Sequence, residues 1–126
     1  MNENDKEYLK KIHNILFTVL KKLEEELEVA SNIGVTDDIE EDIKKIAKKI
    51  HELYKIEKNH LIEKPEELLK AEIEELENEQ KLDRLLSTIK AHLPEKDAEK
   101  IIYSIRSIMN SLRDTIELEN QFLNAA

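Results

Sequence analysis

The chain contains no cysteine and no tryptophan, and it is poor in glycine, proline and aromatic residues. Its 126 residues include one Gly and two Pro, and aromatic residues make up 4%. Without cysteine, disulfides, thiolate nucleophiles and Cys-ligated metal sites are excluded. Turns between strands depend on glycine and proline, so their scarcity argues against a multi-stranded sheet and predicts an all-α fold.

The sequence also lacks a long hydrophobic run and an excess of positive charge. No stretch approaches the roughly 18 apolar residues of a membrane helix, and the N-terminal segment does not have the pattern of a signal peptide. The net charge of −9 disfavours binding to nucleic acid or to an anionic membrane. We therefore expect a cytoplasmic protein with neither kind of partner.

Apolar and charged residues are equally abundant. Hydrophobic residues make up 40% and charged residues 39% of the chain, which is too much apolar material for a disordered segment. Glu and Lys far outnumber Asp and Arg, as is typical of hyperthermophile proteins. The length predicts a single domain over 1–126 that buries roughly two-thirds of its unfolded surface.

Three breakers divide the chain into segments with helical periodicity. Gly34, Pro65 and Pro94 separate runs in which apolar residues recur in steps of three and four. Gly34 supplies a left-handed helix end, and Thr36 is a good N-cap for the next helix. We predict a long antiparallel up-down-up-down four-helix bundle, with helices over about 5–32, 37–63, 65–92 and 95–123.

The connection at Pro65 is the least certain part of this architecture. Only about three residues are available there to reverse the chain, although short loops between antiparallel helices are common. If they fail to reverse it, helices 2 and 3 form one kinked rod inside an intertwined dimer. Helix 3 is also the least regular helix, since its apolar stripe loses register near Glu79 and Gln80 between Leu69, Ile73, Leu76 and Leu82, Leu86, Ile89.

One short motif suggests a metal site. Glu57-x-x-His60 places two ligands on one side of helix 2, at the spacing used by carboxylate-bridged di-metal bundles. An antiparallel bundle brings His13, Glu72 and Glu119 to the same end. The candidate metal ligands are therefore His13, Glu57 and His60, for Zn, Mn or Fe. No second Glu-x-x-His follows in helix 4, so fraying of helix 2 into polar residues is the favoured alternative.

His51-Glu52-Leu53 is a second candidate, similar to the phosphoacceptor box of dimeric histidine kinases. In that box a small polar residue and a proline follow, whereas here Tyr54 and Lys55 stand in their place. A phosphotransfer domain would also need a glycine soon after the histidine, and helix 2 has none. A partly exposed histidine without a special role is the favoured interpretation.

Ser104, Ser107 and Ser111 share one face of helix 4 and would allow another helix to approach closely. Helices 1 and 4 also carry apolar residues beyond a single stripe, namely Leu20, Leu27, Val29, Ile102, Met109 and Leu118. We therefore expect a non-enzymatic interaction, adaptor or regulatory module that self-associates as a dimer without a cofactor. A metal-binding carboxylate-histidine bundle is the alternative, and a histidine phosphoacceptor domain is the third.

Overall fold

The computed structural model describes residues 3–59 and 66–125, and over these residues it contains four α-helices and no strand. The helices are α1 (Glu3–Ile33), α2 (Asp37–Asn59), α3 (Glu66–Ser87) and α4 (Glu95–Ala125). The predicted all-α fold is confirmed.

The helices form a closed antiparallel bundle. Each helix packs against two neighbours, in the cycle α1–α2–α3–α4–α1, and among the described residues the backbones of diagonally opposite helices do not approach each other. Glu24 in α1 binds Arg113 in α4 at 2.8 Å, and Glu28 binds Arg106 at 3.0 Å. The later residue of α1 meets the earlier residue of α4, so these two helices run in opposite directions.

The same test applies to α2 and α3. The His51 ring lies 3.3 Å from Glu79, and Glu40, earlier in α2, accepts a hydrogen bond from the backbone N–H of Ala91, beyond the end of α3. The chain therefore reverses between α2 and α3, and the alternative of a kinked rod is wrong. The junction that contains Pro65 lies outside the described residues.

Both predicted features of the first turn are present. Gly34 has a φ of 86°, and its N–H donates to the Ala30 carbonyl at 2.8 Å. This is the left-handed position that favours glycine because no Cβ crowds the backbone. The Thr36 hydroxyl accepts a hydrogen bond from the Ile39 N–H at 3.2 Å, which caps the start of α2.

The end of α3 differs from the prediction. The helix ends at Ser87, not near residue 92, and His92 lies in the loop with a φ of 65°. Its N–H donates to the Val35 carbonyl at 2.8 Å, and the N–H of Ala91 donates to Glu40 at 2.8 Å. These bonds to the α1–α2 turn and to α2 replace the helical ones, because a buried backbone N–H needs an acceptor.

The hydrophobic core is shared by all four helices. Apolar residues of α1 and α4 beyond a single stripe were expected to lie on the surface, but most of them belong to this core. Leu20, Leu27, Ile102 and Met109 are buried, whereas Val29 and Leu118 are exposed. A bundle core needs wide stripes because each helix packs against two neighbours. None of the four helices, over the described residues, has the length and hydropathy that crossing a bilayer requires.

Candidate metal centre

The core changes character at the end of the bundle where α2 finishes and α3 begins. At this end each helix places an ionisable side chain in the core, whereas the core positions along the rest of the bundle are mostly apolar. These buried groups are His13 from α1, Glu57 from α2, Glu75 from α3 and Glu119 from α4, and their exposed fractions are 0%, 4%, 1% and 2%. Charged residues are almost never buried to this degree unless they are paired or bind a metal.

The imidazole of His13 is held through both of its nitrogens. Its Nδ1 lies 2.6 Å from the amide oxygen of Asn120. Its Nε2 lies 3.1 Å from an oxygen of Glu57 and 3.1 Å from an oxygen of Glu119. Since an amide oxygen only accepts, Nδ1 carries a proton and donates it to Asn120. Nε2 is therefore the nitrogen that contacts the two carboxylates.

One ligand atom from each of His13, Glu57 and Glu119 lies within 4.8 Å of the other two. The three residues come from three different helices, and all three are buried. Such a set is the kind that surrounds a single cation, although a protonated histidine between two carboxylates would use the same contacts.

The pKa of His13 shows which of the opposing effects is stronger. Burial favours the neutral ring and would lower the pKa, but hydrogen bonds with Glu119 and Glu57, the charge of Glu57 and the bond with Asn120 outweigh it. Together they raise the pKa of His13 from 6.5 to about 10. Without a cation, the imidazole is therefore protonated at neutral pH and partly balances the carboxylates.

Glu75 faces the same cluster from α3. Burial raises the pKa of its carboxyl well above the ordinary value, and the negative charges of Glu57 and Glu119 raise it further. Within the part of the chain that the structure describes, neither carboxylate oxygen of Glu75 makes a hydrogen bond. A buried carboxyl with no hydrogen bond is costly, and its raised pKa reflects that cost, because the neutral acid is cheaper to bury than the carboxylate.

The Tyr54 hydroxyl extends the polar region. Its side chain is 3% exposed, and burial together with the charges of Glu75 and Glu57 raises the pKa of the phenol well above 10. The hydroxyl and the Glu75 carboxylate are close enough to influence each other, but neither is in hydrogen-bonding geometry. Tyr54 therefore stays protonated and adds a second buried polar group beside Glu75.

The structure brings together only part of the predicted ligand set. His13 and Glu57 meet, and Glu119, expected at the same end, joins them. His60 lies outside the described residues. Glu72 is half-buried, whereas Glu75, one helical turn later, is buried, and neither belongs to the group of three residues within 4.8 Å.

The sequence pattern does not predict Glu75, because the apolar residues in the first half of α3 mark a different face of the helix. Leu69 and Ile73, predicted as core, are 48% and 50% exposed. The buried stripe of α3 does not lose register, because it passes through glutamates: its residues are Ala71, Glu75, Glu79, Leu82 and Leu86, and Ile89 continues it beyond the end of the helix. Extending the rhythm of the second half backwards, without regard to polarity, would have found Glu75.

The other two candidates lie elsewhere. His51 is exposed in the α2–α3 groove. Ser107 is exposed, and Ser104 and Ser111 are half-buried on α4, where the Ser111 hydroxyl donates to the Ser107 carbonyl at 3.3 Å. Docking of a partner on this serine face stays a prediction.

Comparison of the chain with protein-family models, with curated proteins and with solved structures finds no match in any of the three. The case for function therefore depends on the geometry of the buried cluster.

Proposed function

We propose that this protein is a metal-binding helical bundle that holds one divalent transition-metal ion. The ligands are the imidazole Nε2 of His13 and the carboxylates of Glu57, Glu75 and Glu119. The observation that carries the proposal is the buried group of His13, Glu57 and Glu119, whose ligand atoms lie within 4.8 Å of one another, with the buried Glu75 carboxyl beside it. A cation at this point would also compensate the charge of Glu75.

The distances support a single ion. Two ligand atoms that each lie about 2.1 Å from one ion are about 3.0–3.4 Å apart in octahedral or tetrahedral coordination. Nε2 of His13 lies 3.1 Å from an oxygen of each of Glu57 and Glu119, so these three residues need only small movements to admit an ion, whereas Glu75, outside their group, has to move closer. A neutral His13 directs the lone pair of Nε2 to this point, because Nδ1 donates to Asn120.

The charges favour a cation as well. Three carboxylates and one imidazole lie in a region almost closed to water, where uncompensated negative charge is expensive. Protons on His13 and Glu75 compensate part of it in the metal-free protein. A divalent ion would displace these protons and supply the same compensation with direct bonds.

The ligand types restrict the choice of metal. One imidazole nitrogen with carboxylate oxygens suits Zn²⁺, Mn²⁺ and Fe²⁺, whereas Cu⁺ prefers sulfur ligands. Ca²⁺ and Mg²⁺ prefer sites made only of oxygen ligands, so the imidazole of His13 disfavours them. We expect binding of the three transition metals and little binding of Ca²⁺ or Mg²⁺.

Since every helix supplies one ligand, the ion would fasten all four helices at the end of the bundle opposite the turn at Gly34. Binding is thereby linked to the stability of the whole fold. Metal-dependent stability fits a regulatory or structural role. The expectation of a self-associating adaptor stays a prediction beside this proposal.

Titration of metal-free protein with Zn²⁺, Mn²⁺ or Fe²⁺ in a calorimeter tests the proposal. We expect one ion per chain in the wild type and strongly reduced affinity in His13→Gln and Glu119→Gln. His92→Gln and Glu117→Gln are matched controls, because His92 and Glu117 are exposed and lie outside the cluster. The proposal fails if the wild type binds no transition metal, or if the control variants lose as much affinity as the cluster variants.

A further inference from the structure

The groove between α2 and α3 contains a second histidine–carboxylate pair, separate from the metal centre. Nδ1 of His51 lies 3.3 Å from Oε1 of Glu79. The His51 side chain is 64% exposed, whereas that of Glu79 is only 11% exposed. The Glu79 carboxylate is therefore held within the bundle, and the His51 imidazole packs at its edge and is exposed to solvent.

Glu79 occupies a core position of α3. It follows Glu75 and precedes Leu82 in the buried stripe, where an apolar side chain would stabilise the fold more. Its hydrogen bond within the described residues goes to His51. Packing does not explain a carboxylate at this position, whereas the contact with His51 gives it a role in orienting the imidazole.

The pairing selects the reactive nitrogen. A carboxylate that accepts from Nδ1–H leaves the lone pair on Nε2, which points away from Glu79. If Nε2 attacks an electrophile, the ring becomes positively charged, and the adjacent carboxylate stabilises that charge. His51 therefore has the arrangement of an oriented nucleophile.

The surroundings favour an anionic group on Nε2. A surface hollow of about 280 Å³ lies beside His51 and is large enough for a phosphoryl group. Arg84 lines this hollow together with Asp83, and Lys55 and Lys58 line an adjoining one. Three cationic side chains thus face two carboxylates, those of Asp83 and Glu79, so positive charge is in slight excess here, although the chain as a whole carries −9.

We propose that His51 is a phosphoacceptor that takes a phosphoryl group on Nε2 from a phosphoramidate-type donor, with Glu79 as its positioning residue. The Nε2 lone pair attacks phosphorus, a new P–N bond forms, and the P–N bond of the donor breaks. The amine leaves with a proton from water. The proton on Nδ1 remains hydrogen-bonded to Glu79. This activity does not depend on the metal centre.

The test incubates the full chain with phosphoramidate and follows each histidine by mass spectrometry of peptides. His92 is an internal reference in the same molecule. Its side chain is 80% exposed, and the Asp37 carboxylate lies 3.8 Å away and is 84% exposed, so it does not hold the ring as the buried Glu79 holds His51. We expect His51 to be phosphorylated several times faster than His92. Glu79→Gln should remove that advantage without slowing His92, and His51→Gln should abolish the label on its peptide.

Two results would overturn the inference. In one, His51 reacts no faster than His92 in the wild type. In the other, Glu79→Gln leaves the ratio of the two rates unchanged. Unfolding of the variant would also make the two rates equal, so a helical circular dichroism spectrum and a cooperative unfolding transition like those of the wild type are required of Glu79→Gln.

Discussion

Nδ1 of His13 lies 2.6 Å from the amide oxygen of Asn120, on the neighbouring helix α4. This contact fixes the orientation of the imidazole, so that Nε2 points at Glu57 and at Glu119, the residue beside Asn120 in the sequence. One turn of α4 thus supplies both a proposed ligand and the group that orients another. Such supporting contacts commonly accompany metal-bound histidines.

Asn120→Leu removes that acceptor while nearly preserving the size of the side chain. We expect metal affinity to fall by about 10–100-fold, because loss of such a supporting contact typically costs that much. Calorimetric titration measures the change. An unchanged affinity would show that Asn120 does not orient the ligand.

Glu75→Gln should act in opposite directions on the metal-free and the metal-loaded protein. The change removes an ionisable group that is only 1% exposed, so the metal-free variant should be more stable than the wild type at alkaline pH, by on the order of 1 kcal/mol. It also removes one carboxylate ligand, so metal affinity should fall. Chemical denaturation with chelator and with metal measures both effects. A variant that is stabilised equally in both conditions would place Glu75 outside the ligand set.

The stability of the metal-free protein should fall as the pH rises from about 6.5 toward 10. The pKa of His13 is about 10 in the folded chain and 6.5 without its partners, so the folded state holds the extra proton throughout this window. Its contribution is complete below pH 6.5 and is lost as the pH rises through the folded pKa. The measurement is the free energy of unfolding against pH, for wild type and His13→Gln. Identical slopes in the two proteins would refute this assignment.

Metal removal should lower the melting temperature. An ion that binds only the folded state adds about 4 kcal/mol when its free concentration is about 1,000 times the dissociation constant. Thermal unfolding with increasing Zn²⁺ or Mn²⁺ should therefore show a rising midpoint in the wild type and in Glu117→Gln. If the metal raises the midpoint of His13→Gln as much as that of the wild type, the stabilisation comes from surface sites and not from the cluster.

The register of α3 can be tested by two truncations of large aliphatic residues. Leu82 is 1% exposed, so Leu82→Ala should cost about 2–5 kcal/mol. Ile73 is 50% exposed, so Ile73→Ala should cost clearly less, although the sequence pattern alone places both residues in the core. Equilibrium unfolding in urea compares the two variants. Similar decreases in the free energy of unfolding would show that Ile73 is buried like Leu82, as the apolar pattern of the sequence predicts.

The fold could be predicted from the sequence because its signals are local. Gly34 and Thr36 specify the first turn through their own backbone and hydroxyl, and the structure shows both features. The end of α3 could not be predicted, because it depends on hydrogen bonds from Ala91 and His92 to Glu40 and Val35, which are more than fifty residues away in sequence.

The candidate site was predictable only in part, for a related reason. Glu57 lies on the continuation of the apolar stripe of α2, so periodicity predicts that it points inward, and the antiparallel alignment of the helices predicts that His13 lies at the same end. In α3 the polar residues occupy the stripe itself, and a search for apolar periodicity rejects the very positions that carry the chemistry. A buried glutamate is distinguishable from a surface one only when neighbouring helices are in place.

The central claim is that His13 and the three glutamates bind one metal ion together. X-ray absorption spectroscopy of protein loaded with one equivalent of Zn²⁺ tests it most directly, because the spectrum reports the atoms bound to the metal. We predict one imidazole nitrogen and several oxygen ligands at about 2.0–2.2 Å, with the imidazole signal absent in His13→Gln and retained in His92→Gln. A shell without imidazole, or an imidazole signal that persists in His13→Gln, would contradict the claim.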